Sequence, residues 1–104
     1  MKKYIKKIED VIKINFKNKD LLIKSLTHKS FNEKYNNEKL EFLGDRVIGL
    51  VISEELLNLY PEEKEGIIDK KFSNLVNKKT CKDVADKLNL KDFIRIGNSF
   101  KKVK

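Results

Sequence analysis

Apolar side chains recur along this chain at helical spacing, and the interruptions between the recurrences are short and polar. Tyr4, Ile5, Ile8, Val11 and Ile12 define one face of a first helix expected over about Lys2 to Ile14, which the polar run Asn15 to Lys19 ends. Asn18 can cap a second helix, with Asp20 in its first turn and Leu21, Leu22, Ser25 and Leu26 facing inward. The pattern then breaks into a polar connection around Thr27 to Asn37. Asn36 or Asn37 is the expected cap of a long third helix, Glu38 to Leu59, which Pro61 closes. An acidic connection with Glu62, Glu63 and Glu65 leads to a fourth helix from Gly66 or Ile67 to Asn77. A fifth follows from about Lys79 to Leu88, with Cys81, Val84, Ala85 and Leu88 inward. After it come an apolar turn around Phe93 to Ile96, Gly97 and a basic end. Repeats, heptads and low-complexity linkers are absent, and with every long apolar pattern at helical spacing the expected class is all-α.

The third helix stands apart because Leu40, Phe42, Leu43, Val47, Ile48, Leu50, Val51, Ile52, Leu56, Leu57 and Leu59 cover most of its circumference. A helix apolar all round is expected at the centre of a fold, surrounded by the others. At 104 residues the chain has room for one domain, 1–104, and one modest core.

Charge changes the picture more than composition does. The formal net charge is +8, but it is unevenly spread: +6 over residues 1–36, −5 over 37–65 and +7 over 66–104. Two basic arms flank an acidic block, which suits a phosphodiester enzyme that needs cations for the nucleic-acid backbone and carboxylates for a metal. Cys81 is the single cysteine, which excludes an intramolecular disulfide framework and a cysteine-based metal site and leaves packing as its expected role. The first residues lack the apolar core of a secretory signal, and no apolar run approaches membrane-spanning length. A cytoplasmic protein without a membrane partner is expected. Lys2 to Lys13 could also be read as a basic amphipathic membrane-surface helix, but such a stripe more commonly packs on a core.

Within the acidic block, Glu38, Glu41 and Asp45 share an arc of about 60° of the third helix, at about 100° per residue. Like charges at this spacing destabilise a helix, so something positive belongs among them. Hard oxygen donors favour Mg²⁺ or Mn²⁺ over Zn²⁺. The plainer alternative is a solvated acidic face neutralised by Lys39 and Arg46. Gly44, inside the stripe, fits either close helix packing or the approach of a partner backbone.

The residues EKLEFLGDRVIG, Glu38 to Gly49, resemble the signature of the ribonuclease III family: Glu, any residue, Leu, Glu, Phe, Leu, Gly, Asp, then a small or basic residue and an apolar pair. Every defining position is present in order and without gaps. LTHKS at Leu26 to Ser30 resembles the family's segment upstream of the signature; Glu65–Gly66, LVNKKT at Leu75 to Thr80 and IRIG at Ile94 to Gly97 follow the family downstream. The likeness runs from about Phe16 onward. It implies an all-α ribonuclease III-like endonuclease domain that hydrolyses phosphodiesters in double-stranded RNA, with Mg²⁺ as cofactor and Mn²⁺ as a substitute, acting in ribosomal and messenger RNA processing. It implies a homodimer with one site per subunit. By position, Glu41 and Asp45 resemble the metal-binding catalytic carboxylates, Glu38 and Glu65 the auxiliary acids, and Phe42 an apolar residue of the dimer interface. For Glu65, a helix-terminal acid favoured by the dipole explains the residue equally well, and for Phe42 an ordinary core aromatic does. His28 is expected to support a helix junction by hydrogen bonding.

One departure qualifies the match. The family completes its metal site with a later motif, Asp-any-any-Glu-Ala, and no acid follows Asp92 in this chain. The C-terminal double-stranded RNA-binding domain of most bacterial members is also absent. The chain therefore reads as the first two thirds of a catalytic domain, expected to cleave little or nothing by itself, and loss of the later helices is expected to expose part of the signature helix. The alternative is a non-catalytic double-stranded RNA-binding or dimerisation module of the same fold.

Overall fold

The helical periodicity is realised as five α-helices and one 3-10 turn in a computed structural model, which describes residues 1–97. Helix α1 (Lys2–Ile12) stops earlier than its apolar pattern because Lys13 turns left-handed, with φ 59°, and donates its N–H back to the Glu9 carbonyl. Glu9 itself is buried. Its Oε2 accepts from the Phe16 N–H and from Lys19 Nζ, each at 2.6 Å, and these two bonds fix the turn into α2 (Lys19–Ser25). Both bonds favour the ionised carboxylate, Lys19 foremost, and hold the Glu9 pKa below its ordinary 4.5.

Asn18 caps α2 as its sequence position implies, its Oδ1 accepting from the Leu21 N–H at 3.0 Å. Leu22 and Ile23 are buried, whereas Leu21 and Ser25 are exposed. A helix of seven residues buries one face against α1, and the other lines an open groove.

The connection after α2 is ordered by residues distant in sequence. Thr27 is fully buried at 0% exposure; its Oγ1 donates to the Ile23 carbonyl at 2.7 Å and accepts from Arg95 Nη1 at 3.3 Å. On either side of it the backbone pairs with Arg95 in an isolated parallel bridge, His28 N–H to Arg95 O at 2.9 Å and Arg95 N–H to Leu26 O at 2.7 Å. Ser30 Oγ accepts from the Gly97 N–H at 2.9 Å, and the Arg95 guanidinium lies over the Phe31 ring at 4.4 Å. The family-like segments LTHKS and IRIG thus form a single clasp. It also sets the start of the next helix, because Asn37 donates its N–H to Thr27 O at 2.9 Å and its Nδ2 to Ser25 O at 3.2 Å.

Helix α3 spans Glu38–Leu59, as the pattern predicts. The two candidate caps divide the work: Asn37 is the capping residue by position, but it is Asn36 Oδ1 that accepts the Glu38 N–H, at 3.1 Å. Helix α4 (Glu65–Leu75) returns along α3, with Phe72 against Gly49, and ends two residues short of Asn77. Helix α5 (Lys78–Lys87) is followed by the 3-10 turn Leu90–Phe93, which comes back to α1: the Tyr4 hydroxyl donates to the Phe93 carbonyl, and the two rings meet edge to face at 6.2 Å. The turn expected around Phe93 to Ile96 lies earlier, at Leu90 to Phe93, and Arg95 is bridge backbone instead. The basic end beyond Gly97 lies outside the described residues.

Two packing expectations are corrected. Helix α3 is not enclosed: among the described residues only its Leu56 is buried, while Phe42 is 62% and Leu50 72% exposed. The described elements cover α3 along α4 and leave most of its remaining apolar circumference open. Cys81 and Val84 on α5 are exposed, because that helix packs through half-buried Ala85 and Leu88 toward the 3-10 turn.

Candidate functional site

Helix geometry alone brings Glu41 and Asp45 to one side of α3, and the α4–α5 junction gives that side an opposite wall. The two carboxylates line a cleft of about 430 Å³ together with Ile48, Val76, Asn77, Lys78 and Cys81. Glu41 also lines a second cleft of about 240 Å³ with Glu38, His28, Lys29 and Asn37. Glu41 therefore stands on the wall between the two, with Asp45 on one side and Glu38 on the other. All three acids are exposed.

The ordinary neutralisation considered for the stripe does not occur. None of the ion pairs among the described residues reaches Glu38, Glu41 or Asp45. Arg46 is turned to Phe42 instead, its Nη1 donating to the Phe42 carbonyl at 3.1 Å and its guanidinium lying 3.8 Å from the ring centroid. Gly44 has open space where a Cβ would stand, so close packing within the described residues does not demand glycine there.

Glu65 is not brought to this site. It is the first residue of α4, and from Phe72 opposite Gly49 it lies about 10 Å of helical rise toward the far end of α3. Its position at a helix N-terminus matches the dipole explanation. His28 is engaged at the clasp: the Ser30 N–H donates to its Nδ1 at 3.0 Å, which requires a lone pair on that nitrogen, and Ser30 Oγ is 2.7 Å away.

The donor set has the character Mg²⁺ prefers, hard carboxylate oxygens open to solvent, and one or two protein carboxylates are usual for that ion. It is a partial set: among the described residues no three or more His, Cys, Asp or Glu side chains converge as a metal cluster. The opposite wall was not legible as part of the site. LVNKKT carried no chemistry in the sequence beyond its likeness, and only the return of α4 along α3 brings Asn77 and Lys78 to the carboxylates.

A family model described as ribonuclease-III-like matches residues 18–104. The chain is 55% identical over 92 residues to the ribonuclease 3 of Pelagibacter ubique and 49% identical over 92 residues to that of Campylobacter jejuni. These matches cover 88% of this chain but 41% of each relative, so the chain spans about two fifths of their length. Among solved structures, the nuclease domain of Campylobacter jejuni ribonuclease III superposes with a TM-score of 0.90 at 45% identity, over 94% of this chain and 68% of that one; the structure is described as flexible in the region involved in dimer formation. No helix among the described residues is long and apolar enough to cross a membrane. Shared motifs, shared helical architecture and a match of 49–55% identity across 88% of its length together make this chain a member of the ribonuclease III family.

Proposed function

We propose that the chain contributes the signature half of a double-stranded RNA endoribonuclease site, with Glu41 and Asp45 as ligands of Mg²⁺, or of Mn²⁺ in its place. The carrying observation is the cleft: two adjacent carboxylates, unpaired among the described residues, share a space of about 430 Å³ with a second wall formed by Val76, Asn77, Lys78 and Cys81. The chemistry that a divalent ion supplies in such a setting is charge stabilisation at the phosphoryl oxygens and activation of water. Glu41 and Asp45 fix the position of that charge relative to the strand. Glu38, on the far side of Glu41, serves as an auxiliary acid in the adjoining cleft. Glu65 has this role only if a second subunit or a large displacement brings it near.

The products are a 5′-phosphate and a 3′-hydroxyl. Recognition of the A-form duplex rests on shape, phosphates and 2′-hydroxyls, for which the lysines of the basic arms supply cations. The active form is a homodimer in the cytoplasm, with Phe42 and neighbouring apolar residues of α3 covered by the second copy. Phe42 is suited to this by its exposure, with the Arg46 guanidinium lying over one face of its ring. Residues 1–104 form one partial catalytic domain, and ribosomal and messenger RNA precursors are the expected substrates.

The test is a cleavage assay on long duplex RNA. Joined to the remaining length of a Campylobacter or Pelagibacter relative, this chain cuts in Mg²⁺ and in Mn²⁺, and Asp45→Asn abolishes cutting. The 104-residue chain itself binds without cutting. Undiminished cleavage by the Asp45→Asn chimera would overturn the assignment.

A further inference from the structure

The segment Leu75 to Thr80 has no part in the reaction as proposed so far, yet it forms the wall that faces the carboxylates. Asn77 shapes that wall from both sides. Its Nδ2 donates to the Ser73 and Asn74 carbonyls at 2.9 and 3.1 Å, closing the end of α4, and its Oδ1 accepts the Thr80 N–H at 2.8 Å, opening α5. Thr80 Oγ1 adds a bond to Asn74 O at 3.1 Å. The turn is thereby held so that Lys78, the first residue of α5, lines the same cleft as Glu41 and Asp45.

The lysines of α5 differ in what they are bound to. Lys79 Nζ is 3.0 Å from Asp83 and Lys82 Nζ is 2.8 Å from Asp86, one turn along the helix in each case. One turn along from Lys78 is Lys82, so this cation has no acid on its own helix at that spacing, and none of the ion pairs among the described residues includes it. A lysine in the first turn is also the placement a helix dipole favours least. A cation that shares a cleft with two carboxylates and pairs with neither is placed to hold an anion between them.

We propose that Lys78 contacts a phosphate of the RNA strand on which Glu41 and Asp45 act, so that α3 and the start of α5 hold the same stretch of backbone from opposite walls of the cleft. This rests on the nuclease reading above and adds a substrate contact to it. Lys78 acts as a point charge on phosphate, without base readout, and its contribution is therefore salt-dependent.

The experiment is a fluorescence-anisotropy titration of the 104-residue chain with a labelled RNA duplex across a monovalent-salt series. Lys78→Ala lowers the magnitude of the slope of log affinity against log salt by about 1, the signature of one lost phosphate contact, and Lys78→Arg restores it. Lys79→Ala, which removes a cation already paired with Asp83, and Lys87→Ala, at the other end of α5, leave the slope unchanged. An unchanged slope in Lys78→Ala with intact wild-type binding overturns this inference alone. Equal slope losses in all three variants also overturn it, in favour of a diffuse basic face. Absence of any duplex binding by the wild-type chain overturns the nuclease reading and this inference together. Thermal unfolding of each variant separates a lost contact from a lost fold.

Discussion

The clasp around Thr27 and the outer face of α3 are both rich in apolar residues, but one is closed and the other open. In the clasp, α1, α2, the LTHKS loop and the IRIG segment converge: Ile8 and Thr27 are at most 1% exposed, and Arg95 is bonded through its backbone, its guanidinium and its stacking on Phe31. On α3, residues of equal hydrophobicity such as Leu43, Val47, Leu50 and Val51 remain exposed. The lesson is a division of labour. The clasp completes its contacts within the chain and orients the first turn of α3 through Asn37, whereas α3 offers one acidic side and one apolar side to groups the described residues do not supply.

The sharpest way to break this contrast is to truncate one apolar side chain in each region. Ile8→Ala should cost about 2–5 kcal/mol of unfolding free energy, because the side chain is buried at 1% exposure and its loss leaves a cavity that neighbours fill only in part. Leu50→Ala should change stability by no more than about 0.5 kcal/mol in dilute monomer. Chemical denaturation of both variants decides it, and comparable losses would mean that α3 is covered in solution.

Gly97→Ala comes next. A Cβ there would stand 2.6 Å from the Ser30 carbonyl oxygen, a backbone atom that cannot step aside, so a loss of about 1–3 kcal/mol is expected in the same measurement. Thr27→Val keeps the shape but removes the hydroxyl that joins Ile23 O to Arg95, and should cost about 1–2 kcal/mol. An Arg95→Lys change in the Thr27→Val background should then cost less than it does alone, since the shared bond is already gone.

The smallest effect concerns pH. Glu9 has a folded-state pKa below its unfolded value, so its contribution is fully present above about pH 4.5 and is lost as pH falls through the depressed folded value. Melting curves from pH 6 down to pH 3 should show wild type losing stability more steeply than Glu9→Gln. Parallel curves would remove Lys19 and Phe16 as the cause of the shift.

How much of this was legible in sequence follows from which contacts are local. The helices, the Asn18 cap and the adjacency of Glu41 and Asp45 depend on spacing within one element and were readable to within a few residues. The early stop of α1 depends on a left-handed Lys13 and on Glu9 reaching forward to Phe16, which apolar periodicity does not encode. Hydrophobicity states that the α3 surface needs covering, not what covers it, so the enclosure read from its periodicity fails while the partial exposure expected of the signature helix is what the described residues show. LTHKS and IRIG were recognisable as likenesses, but their pairing is a long-range contact that no local pattern gives. Lys78 was invisible for the same reason: its relation to Asp45 exists only once α4 has returned along α3.

The central claim is that Glu41 and Asp45 hold a divalent cation in the cleft closed by Asn77 and Lys78, without Glu65. Paramagnetic broadening of amide resonances on titrating the 104-residue chain with Mn²⁺ tests it most directly, because it detects weak binding and locates it. Broadening should begin at Glu41, Asp45, Asn77 and Lys78, spare Glu65 and Gly66, and disappear in Asp45→Asn. Broadening centred on Glu65, or a pattern that Asp45→Asn leaves unchanged, would contradict the account.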